Sequence, residues 1–119
     1  MYKKGDIVLI RLNKKGSTNL SKGKRLCLVI SNNKHNDNSE TLTVVPLSSK
    51  TWKRNNTFNI FFEFFDAGLT NILYKDNIAM INQISTYDTK QVNKKISHLD
   101  VNSKTFKRII RKIVNYISD

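Results

Sequence analysis

Apolar positions along the chain change their period several times, and the changes divide it into elements. Over 26–30, Leu26, Cys27, Leu28, Val29 and Ile30 follow one another with no polar alternation, as in a strand covered on both faces. A second apolar run over 42–47 is β-branched at its middle, and the Asn, Asp and Ser residues between the two runs supply a loop. Two core strands joined by a polar loop are therefore predicted, the first of them central. Pro46 lies inside the second run. Having no N–H to give to a ladder, it marks an edge, a bulge or the last paired residue, and a bulge there would re-aim Ser48 and Ser49.

The pattern continues on both sides. Gly5 and Asp6 turn into a first strand over 7–12, followed by a polar, glycine-containing loop over 13–22. Segment 57–65 holds Phe58, Phe61, Phe62, Phe64 and Phe65 with Ile60 among them. That is too much apolar surface for a strand buried on one side, so it is expected to cover the core on one side and a partner subunit on the other. Asp66, Ala67 and Gly68 break the segment, and a further strand is predicted over 77–84 with Ile78, Met80, Ile81 and Ile84 as its apolar set. Asp88, followed three residues on by Gln91, reads as a capping box opening a short helix with Val92 and Ile96 on one face. In the last segment Phe106, Ile109, Ile110, Ile113, Val114 and Ile117 recur at helical spacing, while Lys104, Lys107, Arg108, Arg111 and Lys112 fall elsewhere. Asp100 or Ser103 would cap this helix, whose apolar stripe is expected to pack on the sheet. Its basic face would suit a DNA groove or an acidic protein.

Length and charge narrow the function. The 119 residues form one domain, 1–119, with room for a single core and one site. The net charge of +12, from 21 basic against 9 acidic residues, exceeds what solubility needs and calls for a polyanionic partner. Nucleic acid leads, because Lys and Arg contacts to phosphate dominate such binding; a membrane surface or an acidic protein also fits. The single cysteine, Cys27, excludes an internal disulfide framework and a thiolate metal cluster, and fits a reducing cytoplasm. Set among Leu and Val, it reads as a buried, inert thiol. His35 and His98 lack metal-ligand spacing, and no Gly-rich phosphate loop or acidic metal cluster occurs. The apolar run at the start is short and broken by Asp6 and Arg11, so neither a signal peptide nor a membrane span is expected, and the protein should be cytoplasmic.

Candidate chemistry gathers at the ends of the two core strands. Lys22, Lys24 and Arg25 form a positive patch where the first begins, and Ser48 and Ser49 close the second. The same residues also read as a solvated strand end and an ordinary turn. Beyond them, Trp52, Lys53 and Arg54 combine a flat ring for a base with charges for a phosphate backbone, as single-strand binding requires. Trp52 reads equally well as a partly buried anchor.

Four stretches, GDIVL at 5–9, KRxxLVISN at 24–32, TVVPLSS at 43–49 and QISTYD at 83–88, together resemble the MazF/PemK/Kid toxin family over nearly the whole chain. The resemblance implies a mainly β fold, a small SH3-like barrel of about five to seven strands with a C-terminal amphipathic helix. It further implies the toxin of a type II toxin-antitoxin pair, a sequence-selective endoribonuclease that cuts single-stranded RNA by 2′-OH attack with no metal or other cofactor. Its partners would be RNA, an acidic antitoxin protein and a second copy of itself in a homodimer, with no membrane. The family's catalytic arginine falls on Arg25 and its hydroxyl partner, usually threonine, on Ser48. The family's glutamine falls on Gln83 and the threonine after it on Thr86, which join Lys22, Lys24, Ser49, Trp52, Lys53 and Arg54 as expected RNA contacts. The chain departs from the family pattern at Leu26 (usually proline), Ser48, Asn82 (commonly acidic) and Ser85 (arginine). The last two remove charges that in some members shape the site or contact RNA, which keeps open a weak or non-catalytic single-strand RNA-binding module. A CcdB-like gyrase poison is a third possibility, disfavoured by the pairing of Arg25 with Ser48.

Overall fold

Strand β1, Asp6–Arg11, begins where Gly5 takes φ 99°, a left-handed conformation that favours glycine. The computed structural model describes residues 1–12 and 23–118, so the loop expected over 13–22 lies outside the described residues. Strands β2 (Lys24–Val29), β3 (Thr41–Ser48), β4 (Asn59–Phe62), β5 (Asn77–Met80), β6 (Ser85–Asp88) and β7 (Val92–His98) follow, with helices α1 (Asn33–Asn38) and α2 (Lys104–Ile117). Every pairing is antiparallel, in the order β4-β5-β3-β2-β1-β7, with β6 also on β3. The described residues thus form a mainly β fold of seven strands with a C-terminal helix, as the family resemblance implies.

β2 lies between β1 and β3, and its alternate residues feed two cores. Leu26 and Leu28 join Ile7, Val45, Leu47 and Ile81 in the core against Phe106, Ile109 and Ile113 of α2, while Cys27 and Val29 join Val8, Ile10, Leu42 and Val44 in the other. An apolar residue at every position is the cost of having both faces covered. The second core is enclosed because the run β6-β3-β2-β1-β7 curls on itself. Its two end strands are joined by one 3₁₀ turn, Thr89–Gln91, tied down by Thr89 N–H donating to Glu40 O at 2.8 Å and Gln91 Nε2 to Arg11 O at 3.3 Å. Tyr87 and Val92 close over this core.

The outer edge of β3 is shared. Thr41 to Val44 pair with β6, and Leu47 and Ser48 with β5. The segment predicted as one strand over 77–84 is therefore split by a 3₁₀ turn, Ile81–Gln83, that takes up residues where the path bends along β3. Pro46 stands in that gap. It is the last β3 residue paired with β2, opposite Cys27, and has no partner on β5 or β6, a place where a missing N–H costs little.

Three expectations give way to contacts that apolar periodicity does not report. The polar loop after β2 holds α1, whose cap Asn32 accepts from His35 N–H at 2.8 Å and whose buried Asn36 donates to Ser31 O at 2.9 Å. Side-chain to backbone bonds build this helix, so apolar periodicity does not report it. In the phenylalanine-rich segment only β4 is strand, because Asn56 Oδ1 takes the N–H of Phe58 and Asp76 Oδ1 that of Phe64. The capping box forms, with Lys90 N–H donating to Asp88 and Asp88 N–H to Gln91, but it supports only the 3₁₀ turn. Val92 then enters β7, which completes the open edge of β1 from Ile10↔Val92 to Asp6↔His98. Two register shifts skip Asn93 and Ile96; with these bulges Val92 packs on the second core and Ile96 on the first.

α2 is as expected. Ser103 Oγ accepts from Phe106 N–H at 3.1 Å, and Arg108 Nη2 donates to Phe61 O at 3.0 Å. His98 and Lys95 meet Asp6, 1% exposed, at 2.7 and 3.3 Å, which binds β7 to the start of β1. No helix among the described residues is long and apolar enough to cross a membrane.

Candidate active site

The pairing of β2 with β3 runs Val29↔Val44, Leu28↔Val45, Cys27↔Pro46. Continued two residues, this register brings Arg25 opposite Ser48. Both side chains are half-buried and line one open cavity of about 450 Å³. Lys24, Arg25 and Lys75 bring three cations to it, Ser48 and Ser49 two hydroxyls, and Leu9, Leu26 and Leu47 an apolar wall, with Tyr74 and Asn77 completing it. The ion pairs among the described residues converge on Asp6, so no carboxylate among them neutralises these cations. The hydroxyl oxygen of Ser48 accepts from Lys50 N–H at 3.1 Å, leaving its own proton free to donate. The arrangement suits a phosphate group: a planar donor fork, a hydroxyl donor and surrounding positive charge.

Cys27, two residues from Arg25, is wholly buried. Burial pushes its thiol from 9.0 up to about 12, against the opposing pull of the Arg25 charge. It is the inert thiol expected from its neighbours. His35 bonds to Thr41 at the far end of β3 and His98 to Asp6; neither lines the cavity. No three His, Cys, Asp or Glu residues gather as a metal site among the described residues.

The expected site residues are only partly brought together. Lys24, Arg25, Ser48 and Ser49 share the cavity. Trp52, Lys53 and Arg54 lie just beyond, in the 3₁₀ turn Thr51–Asn55, and do not line it. Trp52 is 72% exposed, which removes the alternative of a partly buried anchor. Arg54 sits over the Phe61 ring, 5.0 Å from its centroid. Gln83 ends the turn between β5 and β6, and Thr86 lies toward the other end of β3 from Ser48, its Oγ1 3.0 Å from Thr43 Oγ1. Both are exposed but outside the cavity. Lys22 lies outside the described residues. Tyr74, Lys75 and Asn77 also line the cavity without being among the residues expected from sequence, where only a ring beside a cation at 74–75 marks them.

The architecture matches solved structures at low identity, a likeness that carries the fold alone. A Mycobacterium tuberculosis toxin, MazF-mt6, is 15% identical with a TM-score of 0.67, the match covering 92% of this chain and 93% of that one. An endoribonuclease from a mycobacterial species, in complex with its cognate antitoxin, is 14% identical with a TM-score of 0.72, over 97% and 93%. MazF in the MazE-MazF complex of Deinococcus radiodurans is 12% identical with a TM-score of 0.71, over 98% and 95%. No curated protein sequence matches the chain. The model of the PemK-like, MazF-like toxin of type II toxin-antitoxin systems matches residues 3–117, and the chain belongs to that family.

Proposed function

We propose that the chain is a toxin that cuts single-stranded RNA at selected sequences, without a metal, by attack of a ribose 2′-OH on the adjacent phosphate. The observation that carries this reading is that Arg25 and Ser48 line one positively charged cavity at the positions where the family resemblance puts its catalytic pair. In the reaction a bond forms between phosphorus and O2′ as the bond to O5′ breaks, giving a 2′,3′-cyclic phosphate and a free 5′-OH. One proton leaves the 2′-oxygen and one joins the 5′-oxygen, so no water is consumed. The Arg25 guanidinium donates to the phosphate oxygens as charge builds there, and Ser48 gives a second donor. A preorganised donor of this kind supplies about 3 kcal/mol, roughly a hundredfold in rate. Lys24 and Lys75 add a field that draws in the RNA backbone.

Two partners belong to this reading. An acidic antitoxin segment is expected to lie over the cations and block RNA, supported by the relatives solved with MazE or a cognate antitoxin. A second copy is expected on the apolar patch where the Phe58 ring meets Tyr116 edge-on, 5.4 Å between centroids, beside exposed Ile117. Such pairs usually close as C2 dimers.

A binding-only protein is the second reading. It is favoured by Asn82 and Ser85, which bring no charge, and by Ser85 Oγ donating to Gln83 O at 3.0 Å instead of facing a ligand. One assay separates the two: a long unstructured RNA is incubated with the protein in excess EDTA and its new ends are mapped. Discrete cuts with 5′-OH ends support the nuclease, whereas intact RNA with salt-sensitive binding supports the second reading. Cleavage that appears only when a divalent ion is restored contradicts the mechanism.

A further inference from the structure

The ring that the structure brings to Arg25 and Ser48 is Tyr74 rather than Trp52. Tyr74 and Lys75 line the same cavity as that pair, and Tyr74 is 95% exposed. Its backbone is nonetheless held on both sides. Leu73 is buried, and its N–H donates to Phe64 O at 2.8 Å. Asp76 accepts from Phe64 N–H at 2.8 Å, and buried Asn77 donates through Nδ2 to Lys75 O at 2.8 Å. A firm loop thus presents a ring that the fold leaves unpacked, next to a cation and beside the phosphate-suited cavity. Tyrosine is a low-cost contact residue because only two side-chain torsions must be fixed. Every base offers a face to such a ring, and stacking with an adjacent cation is how single strands are held.

We infer that Tyr74 is the stacking platform for the unpaired base of a nucleotide flanking the phosphate at Arg25 and Ser48, with Lys75 holding that nucleotide's own phosphate. The inference rests on the reading of this cavity as an RNA site. A base in a duplex cannot lie on the ring, so Tyr74 also enforces the choice of single strands.

The test uses the full chain and a short, unstructured, mixed-sequence DNA oligonucleotide carrying 2-aminopurine, which lacks the attacking 2′-OH and stays intact on that route. Parental protein should bind it and quench the 2-aminopurine. Tyr74→Ala should raise Kd by about tenfold or more and abolish the quench, while Tyr74→Phe, which keeps the ring, should stay close to parental. Parental protein with no measurable affinity for the oligonucleotide, or Tyr74→Ala that binds and quenches normally, overturns the proposal. So does Tyr74→Ala that keeps its affinity but loses self-association, since the ring would then belong to a protein interface. Failure of the nuclease reading looks different: quenching through Tyr74 by a protein that leaves RNA intact in EDTA retires the nuclease and leaves the subsite standing.

Discussion

Cys27 and Arg25 lie two positions apart on one strand, the first wholly buried and the second half-buried at the cavity. The buried thiol keeps its proton up to about 12 in the fold, against 9.0 for the free group, so the native chain holds that proton after an unfolded chain has released it. Its contribution to stability is therefore intact below about pH 9 and lost as pH rises toward about 12. Denaturant midpoints across that window should fall more steeply for the parent than for Cys27→Ala; parallel curves would contradict the assignment. The inertness of Cys27 was legible from its apolar neighbours, and the pairing of Arg25 with Ser48 from the two strand ends and the family motif. Tyr74 is marked only by a neighbouring cation, in a stretch with no hydrophobic period, and it is the loop tied to Phe64 that carries it to the cavity.

Among the elements, those that bury a continuous apolar face were read closely: β1, β2, β3 and α2 differ from expectation by a few residues at their ends. α2 carries Phe106, Ile109 and Ile113 in the core behind a single side-chain cap. Ser103→Ala should lower stability by about 1 kcal/mol, and Ile109→Ala by roughly 2–5 kcal/mol, in urea melts. A Ser103→Ala protein as stable as the parent would show that the helix start is held by its packing alone. The elements read poorly are those whose form is decided at a distance. β7 looks helical in isolation because a working capping box precedes two apolar residues four apart, Val92 and Ile96, and pairing with β1 overrides both. β5 and β6 look like one strand because the bend along β3 leaves no mark on the apolar period.

For the molecule as a whole, the net charge of +12 points to a polyanion, and the fold places three basic residues, Lys24, Arg25 and Lys75, in one cavity with Ser48. The phenylalanine-rich segment points to a partner surface, and six exposed apolar residues fall there or at the end of α2: Phe58, Phe64, Phe65, Val114, Tyr116 and Ile117. Ile117, 71% exposed, should tolerate Asp without loss of monomer stability, yet Ile117→Asp should shift light scattering from dimer toward monomer; an unchanged dimer would move the interface elsewhere. The central claim is that this cavity cuts RNA, and cleavage rate set against melting temperature tests it most directly. In excess EDTA, Arg25→Ala should melt within about 0.5 kcal/mol of the parent, as half-exposed positions do, and cut no RNA. Arg25→Lys should recover little, since an ammonium lacks the planar fork for two phosphate oxygens, and Ser48→Ala should cut more slowly. An Arg25→Ala protein that melts normally and cuts at the parental rate would contradict the account.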